Sequence, residues 1–128
     1  MEFLRFVAVS VGAILGAWFR WWLSHCSNPV FPTLPLGTLA ANLIGAFFVG
    51  VAIAFFNKHP GLHPEGKLLV ITGFMGGLTT FSTFSTEAVT LIGREQYGWA
   101  AGQISVHLFG SLILTGLGMY TIKLLAGT

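Results

Sequence analysis

Residues 76–85 read GGLTTFSTFS. They lie in one of the most apolar parts of an apolar chain, yet they carry two adjacent glycines, a run of hydroxyls, and Phe81 and Phe84 three positions apart. Hydrocarbon offers no hydrogen bonds, so backbone at membrane depth departs from a helix only where protein or a polar cavity satisfies it. Gly76 and Gly77 mark a place where a helix can break. An unwound stretch frees carbonyls that can hold a cation, and the helix that restarts beyond it aims N–H groups at an anion. Phe81 and Phe84 share one helical face, and aromatic rings are electropositive at their edges. A plainer account uses the same residues: both rings pack, and the hydroxyls satisfy a bent helix. The residues alone leave the two open.

Composition says what surrounds this stretch. The chain has 128 residues, 54% of them apolar and 8% charged, where a soluble domain carries about 25% charge. So little charge cannot keep a water-facing surface dispersed, so lipid is the solvent for most of the chain. A formal charge of +2 with no basic cluster argues against nucleic acid as a partner. One cysteine, Cys26, excludes an internal disulfide and any multi-thiolate metal site.

Four runs are long enough to cross a hydrocarbon core, which takes about 20 helical residues: Phe3–Leu23, Leu34–Phe56, Leu68–Ile92 and Trp99–Leu125. The charge ahead of the first run is mixed (Glu2, Arg5) and no clean cleavage site follows, so it reads as a retained span and not a signal peptide. Short connectors rich in Pro, Gly and Asn make neighbouring spans antiparallel. The expectation is an all-α membrane protein, residues 1–128 forming a single transmembrane domain. Four helices enclose little space alone, which points to an oligomer. Gly12 and Gly16, Gly73 and Gly77, and Ala41 and Gly45 have the small-xxx-small spacing of close helix contacts. Arg5, Lys58, Lys67 and Lys123 fall to one side, Arg20 and Arg94 to the other, a weak orientation bias under the positive-inside rule.

Polar groups inside the spans are costly and usually face the bundle interior or a water-filled path. Arg20 ends the first span among Trp18, Trp21 and Trp22. It is either an interfacial anchor or an inward cation holding a carboxylate or backbone carbonyls, or lining an anion vestibule. Asn42, one turn beyond Thr38, is either helix–helix glue or a two-hydrogen donor to an anion. Gln103, His107, Ser111 and Thr115 recur every four residues and make one slowly drifting polar stripe. Such a stripe can pass a small hydrogen-bonding ion along, or its hydroxyls can bond their own helix.

Other motifs carry little. GLHPEGKL at 61–68 lacks the terminal Ser/Thr and the strand of a phosphate loop. His59 and His63 are separated by prolines and read as solvated loop residues, and His25 beside Cys26 reads as a surface pair. There is no GxSxG elbow and no nucleophile–base–acid set, so an enzyme is not expected.

GGLTTFSTFS closely resembles the signature of the Fluc (CrcB) fluoride channel family. GAILGAWFRWW resembles that family's first-helix pattern ending in arginine, GTLAANLIGAF its second-helix pattern with a central asparagine, and HLFGSLILTG its fourth helix. Glu87 follows the signature at the family spacing, and the resemblance covers essentially the whole chain in order. It implies a third helix broken near its middle and an antiparallel, dual-topology homodimer with two fluoride pores. Phe81, Phe84, Asn42, Ser82, Thr83, Ser111 and Thr115 correspond to pore residues. Arg20 and Glu87 match the vestibule arginine and third-helix acid. His107 stands where some relatives have tyrosine. The resemblance further implies a structural Na⁺ at the dimer centre, held by the backbone carbonyls of Gly76 and Thr79. Its function would be passive, selective fluoride export across a bacterial cytoplasmic (inner) membrane. Two other readings are a small dual-topology exporter of drugs or metabolites, for which Glu87 is the one candidate coupling carboxylate, and a non-transporting membrane scaffold.

Overall fold

The computed structural model describes residues 2–126, and all regular structure in them is helical. Helix α1 spans Glu2–Ser27 and ends in a single tight turn, Asn28–Val30. Helix α2 spans Leu36–Lys58. Helix α3 covers 64–78, with α-helical ends at Pro64–Lys67 and Gly76–Leu78 and wider π turns over Leu68–Met75. Helix α4 is Phe81–Gly93 and α5 is Tyr97–Ala126.

Four stretches are long and apolar enough to cross a membrane: Glu2–Val30, Leu36–Lys58, Pro64–Gly93 and Tyr97–Ala126. At 1.5 Å per residue, each exceeds a hydrocarbon core of about 30 Å. They coincide with the four runs read from the sequence and extend a few residues past most of their ends. Pro64 shows why. The sequence reading puts it in a connector, but it opens α3, where a missing N–H costs nothing because the first turn has no acceptor for it.

Two helix pairs form the body of the subunit, α1 against α3 and α2 against α5, with α4 laid on α5. The first pair closes on its glycines. A Cβ on Gly73 would stand 2.8 Å from the Val9 carbonyl oxygen and 2.9 Å from Gly12 Cα. No side chain fits between the backbones there. Gly16 and Gly77 continue the seam one turn on, where a Cβ on Gly77 would meet the Ala13 carbonyl at 2.6 Å. In lipid, such close van der Waals approach substitutes for a hydrophobic drive between helices.

The buried core is small: Ala41, Met75 and Leu78, with Phe19, Leu23, Ile44, Val49 and Phe74 packed on it. Most large apolar side chains lie on the outside, Trp18 and Trp21 among them, as expected where lipid is the solvent. The N-terminal end of α2 is short of an ordinary cap. Pro35 offers no side-chain cap, so Asn28 reaches across: its Oδ1 accepts from Gly37 N at 2.7 Å and Thr38 N at 3.1 Å. The turn from α4 to α5 closes with Gln96 N donating to Leu91 O at 2.9 Å around Glu95 at φ 60°, the left-handed closure common at helix ends.

Gly73→Ala should destabilise the subunit by about 1–3 kcal/mol through overpacking of the α1–α3 seam. Gly61→Ala, with nothing within 4 Å, should be neutral. Thermal unfolding in detergent micelles reads both. Asn28→Ala should cost about 1 kcal/mol by removing the cap of α2, seen in the same assay.

Candidate functional site

The site is organised by two residues that are not helical. Thr79 N still donates to Met75 O at 3.0 Å, but Thr79 (φ −86°, ψ 154°) and Thr80 (φ −148°, ψ 120°) are extended. Side chains replace the helical bonds lost there. Asn42 brackets the Thr80 backbone: its Oδ1 accepts from Thr80 N at 2.7 Å and its Nδ2 donates to Thr80 O at 3.0 Å. Thr80 Oγ1 accepts from Thr83 N at 3.1 Å, so Thr80 is the N-cap of α4. On the other side, Arg20 Nε donates to Gly77 O at 3.1 Å, taking up one of the carbonyls a helix end leaves unpaired. Arg20 is therefore a carbonyl-holding cation in this structure.

The glycines expected at the break do different work. Gly76 and Gly77 are both helical, and Gly77 is spent on the contact with α1. The extended residues come two positions later, where hydroxyls and Asn42 supply the substitute bonds.

A groove of about 540 Å³ opens beside Thr79 and Thr80, lined by Asn42, Phe81, Phe84, His107 and Ser111 among others. Its walls are mainly apolar, with these few polar groups converging. Phe81 is 79% exposed, so its ring stands at the open side. The Phe81 and Phe84 rings are 5.6 Å apart at 56°, and Phe84 meets the His107 ring at 4.8 Å. Asn42 Nδ2 lies 3.1 Å from His107 Nδ1.

Not every residue singled out in the sequence joins the groove. Ser82 is exposed, and Thr83 is half-buried with its N–H on Thr80; neither lines it. Thr115 Oγ1 donates to Ala46 O at 3.1 Å, fastening α5 to α2. Glu87 belongs to a separate buried cluster, where its Oε2 accepts from Thr38 Oγ1 at 2.7 Å and its Oε1 from Gln103 Nε2 at 3.0 Å. Thr38 and Gln103 are 1% and 0% exposed. Gln103 Nε2 also reaches the Phe84 carbonyl at 3.4 Å. Among the described residues, the buried Gln103 Oε1 and His107 Nε2 have no hydrogen-bond partner.

Thr80, one of the run of hydroxyls, lines the groove and caps α4 without having been singled out in the sequence. A threonine followed by the apolar-periodic start of a helix is an N-cap signal, and that signal was available. A smaller depression of about 320 Å³ lies at the α2–α3 connection, where His59 Nδ1 contacts Phe55 O at 2.8 Å. Among the described residues, no three His, Cys, Asp or Glu side chains gather to hold a metal.

Four membrane-crossing helices with polar groups gathered between them define a small multi-pass membrane protein. A family model described as CrcB-like protein, Camphor Resistance (CrcB), matches residues 7–119, and the chain belongs to that family. It is 56% identical over 123 residues to a protein of Cupriavidus taiwanensis, covering 96% of this chain and 98% of the relative. It is 56% identical over 126 residues to one of Nitrosospira multiformis, covering 98% of each, and 52% identical over 121 residues to one of Pseudomonas putida, covering 94% and 95%. All three relatives are named fluoride-specific ion channel FluC. The family is one of ion channels, not of enzymes.

Thr38→Val should cost about 1.5–3 kcal/mol, because Glu87 loses a donor in a buried setting, while Thr38→Ser should recover most of that. Thr80→Ala should cost about 1 kcal/mol through loss of the α4 cap. Thermal melts of purified protein rank the three.

Proposed function

We propose that this protein is a passive, fluoride-selective channel. The observation that carries the reading is the groove, in which two phenylalanine rings and a few hydrogen-bonding groups converge beside extended backbone. It occurs in a chain whose relatives, 56% identical over nearly their whole length, are named fluoride-specific channels.

Fluoride is small and strongly hydrated, so a path through lipid must replace much of its water. The ring edges of Phe81 and Phe84 offer an electropositive rim. The Ser111 hydroxyl and the Asn42–His107 pair bring polar hydrogens to the same groove, with Thr115 further along α5. Ser82 and Thr83 extend the polar surface near the start of α4. Chloride is larger and a poorer acceptor, so it regains less of its hydration energy; selectivity is that difference. Arg20 and Glu87 we assign to support of the path at its ends, Arg20 through the Gly77 carbonyl and Glu87 through Thr38 and Gln103.

A groove open on one side, with an exposed Phe81 at its edge, is half of an enclosure. We therefore infer an antiparallel homodimer with two such paths. The weak cation bias, four to one side and two to the other, sets only a slight preference and so supports insertion in both orientations. The membrane would be the bacterial cytoplasmic (inner) one.

A structural Na⁺ fits the residues at the break. In a continuous helix the Gly76 and Thr79 carbonyls would accept from Thr80 N and Thr83 N. Those N–H groups are diverted, to Asn42 Oδ1 and to Thr80 Oγ1. Both carbonyls are thereby released from the helical pattern, as in carbonyl-built cation sites. Bound there, the ion would supply fixed positive charge that favours anions nearby.

Purified protein in liposomes should release fluoride down its gradient much faster than chloride. Phe81→Ile and Phe84→Ile should each lower fluoride efflux more than tenfold without unfolding the protein. Equal chloride efflux, or indifference to both substitutions, would refute the assignment. Release of an organic cation coupled to protons and abolished by Glu87→Gln would favour an exporter instead.

A further inference from the structure

We infer that the depression where α2 turns into α3 seats the headgroup of a phosphatidylglycerol-like lipid, with Lys67 taking the phosphodiester and His59 accepting from a headgroup hydroxyl. The inference is independent of the fluoride reading, since it concerns the corner between two spans and not the groove.

Placement comes first. Helix α2 ends at Lys58 and α3 begins at Pro64. Both belong to membrane-crossing segments, so the residues between them lie at the level of lipid headgroups. The depression there holds about 320 Å³, near the lower limit of ligand pockets, which run from about 300 to 1,000 Å³. That is room for a headgroup and not for a whole lipid. Phe56, Leu62 and Pro64 give it an apolar wall, and His59, His63 and Lys67 give it a basic one. Leu62 is exposed. Apolar and basic groups side by side suit the boundary between acyl chains and headgroups. A free phosphate in water would gain nothing from the apolar wall, which is why the occupant is a lipid.

The polar groups then select among lipids. Lys67 pairs with no carboxylate among the described residues, and no acidic side chain is among those lining the depression. Its charge therefore complements one anionic phosphodiester. The His59 ring stacks on Phe55 with centroids 4.3 Å apart, and its Nδ1 lies 2.8 Å from the Phe55 carbonyl oxygen. A carbonyl can only accept, so Nδ1 carries the hydrogen. The neutral imidazole keeps its lone pair on Nε2, and the ring contributes an acceptor. A headgroup that satisfies both residues carries one negative charge and a hydroxyl donor. Phosphatidylglycerol has both. Phosphatidylmethanol has the charge without the donor, phosphatidylethanolamine has a donor without the net charge, and phosphatidylcholine has neither.

The test is native mass spectrometry of the full-length protein in detergent, titrated with the dioleoyl form of each lipid. Phosphatidylglycerol should bind about threefold more tightly than phosphatidylmethanol, about fivefold more than phosphatidylethanolamine and more than about tenfold more than phosphatidylcholine. Lys67→Gln should weaken phosphatidylglycerol about fivefold and leave phosphatidylcholine as it was. Lys123→Gln removes a cation that does not line the depression and should change neither. His59→Phe keeps a ring on Phe55 but removes the acceptor, so phosphatidylglycerol should fall to the level of phosphatidylmethanol. His59→Gln retains an acceptor and should keep the preference. Equal affinity for phosphatidylglycerol, phosphatidylethanolamine and phosphatidylcholine, or equal losses from Lys67→Gln and Lys123→Gln, would overturn the inference. Indifference to the hydroxyl in the wild type, or a preference that survives His59→Phe, would overturn the part given to His59. Displacement of the lipid by inorganic phosphate or glycerol phosphate would overturn the lipid as occupant in favour of a free anion.

Discussion

The structure depends on the Asn42 side chain taking the place of a helical turn. An extended pair of residues in the middle of a membrane-crossing segment exposes peptide groups that lipid cannot satisfy. Asn42 answers both backbone groups of Thr80, oxygen to N–H and nitrogen to C=O. Arg20 on Gly77 O and Thr80 Oγ1 on Thr83 N complete the repair. Three helices therefore hold the break open: α1 through an arginine, α2 through an amide, and α4 through its own cap. Without them the low-energy course for these residues is to continue the helix.

The glycine seam makes that repair geometrically possible. Gly12 and Gly73 bring the α1 and α3 backbones within side-chain-excluding distance, and Gly16 and Gly77 keep them there one turn later. At that spacing Arg20 Nε reaches Gly77 O. Packing and polar satisfaction are one arrangement here, since widening the seam by one methyl group would pull the arginine from the helix end it caps.

Two polar networks meet along α5. One runs from Thr80 through Asn42 to His107; the other joins Thr38, Glu87 and Gln103. Residues every four along a helix do not stay on one face, since four steps of about 100° overshoot a full turn by about 40°. Over Gln103, His107, Ser111 and Thr115 the drift accumulates to about 120°. Gln103 accordingly meets α4, His107 meets α2 beside the break, and Thr115 bonds the α2 carbonyl of Ala46. What looks like one track in the sequence serves two neighbouring helices, α4 and α2.

The sequence by itself determined the number of spans, the antiparallel course set by short connectors, the glycines of the α1–α3 seam and the family. These depend on local quantities: length of apolar run, turn chemistry, small-residue spacing, and a contiguous motif. It also placed Asn42, Phe81, Phe84 and His107 in view as polar or aromatic groups needing a partner. Only the tertiary structure decided which partner each found. Thr79 and Thr80, not Gly76 and Gly77, are the extended residues, because the substitute hydrogen bonds come from a helix 38 positions away. Glu87 turned to Thr38 and Gln103, and Arg20 to a carbonyl, for the same reason. A hydrogen bond between distant positions leaves no periodic trace in either segment, so its existence becomes known only when the chain is folded.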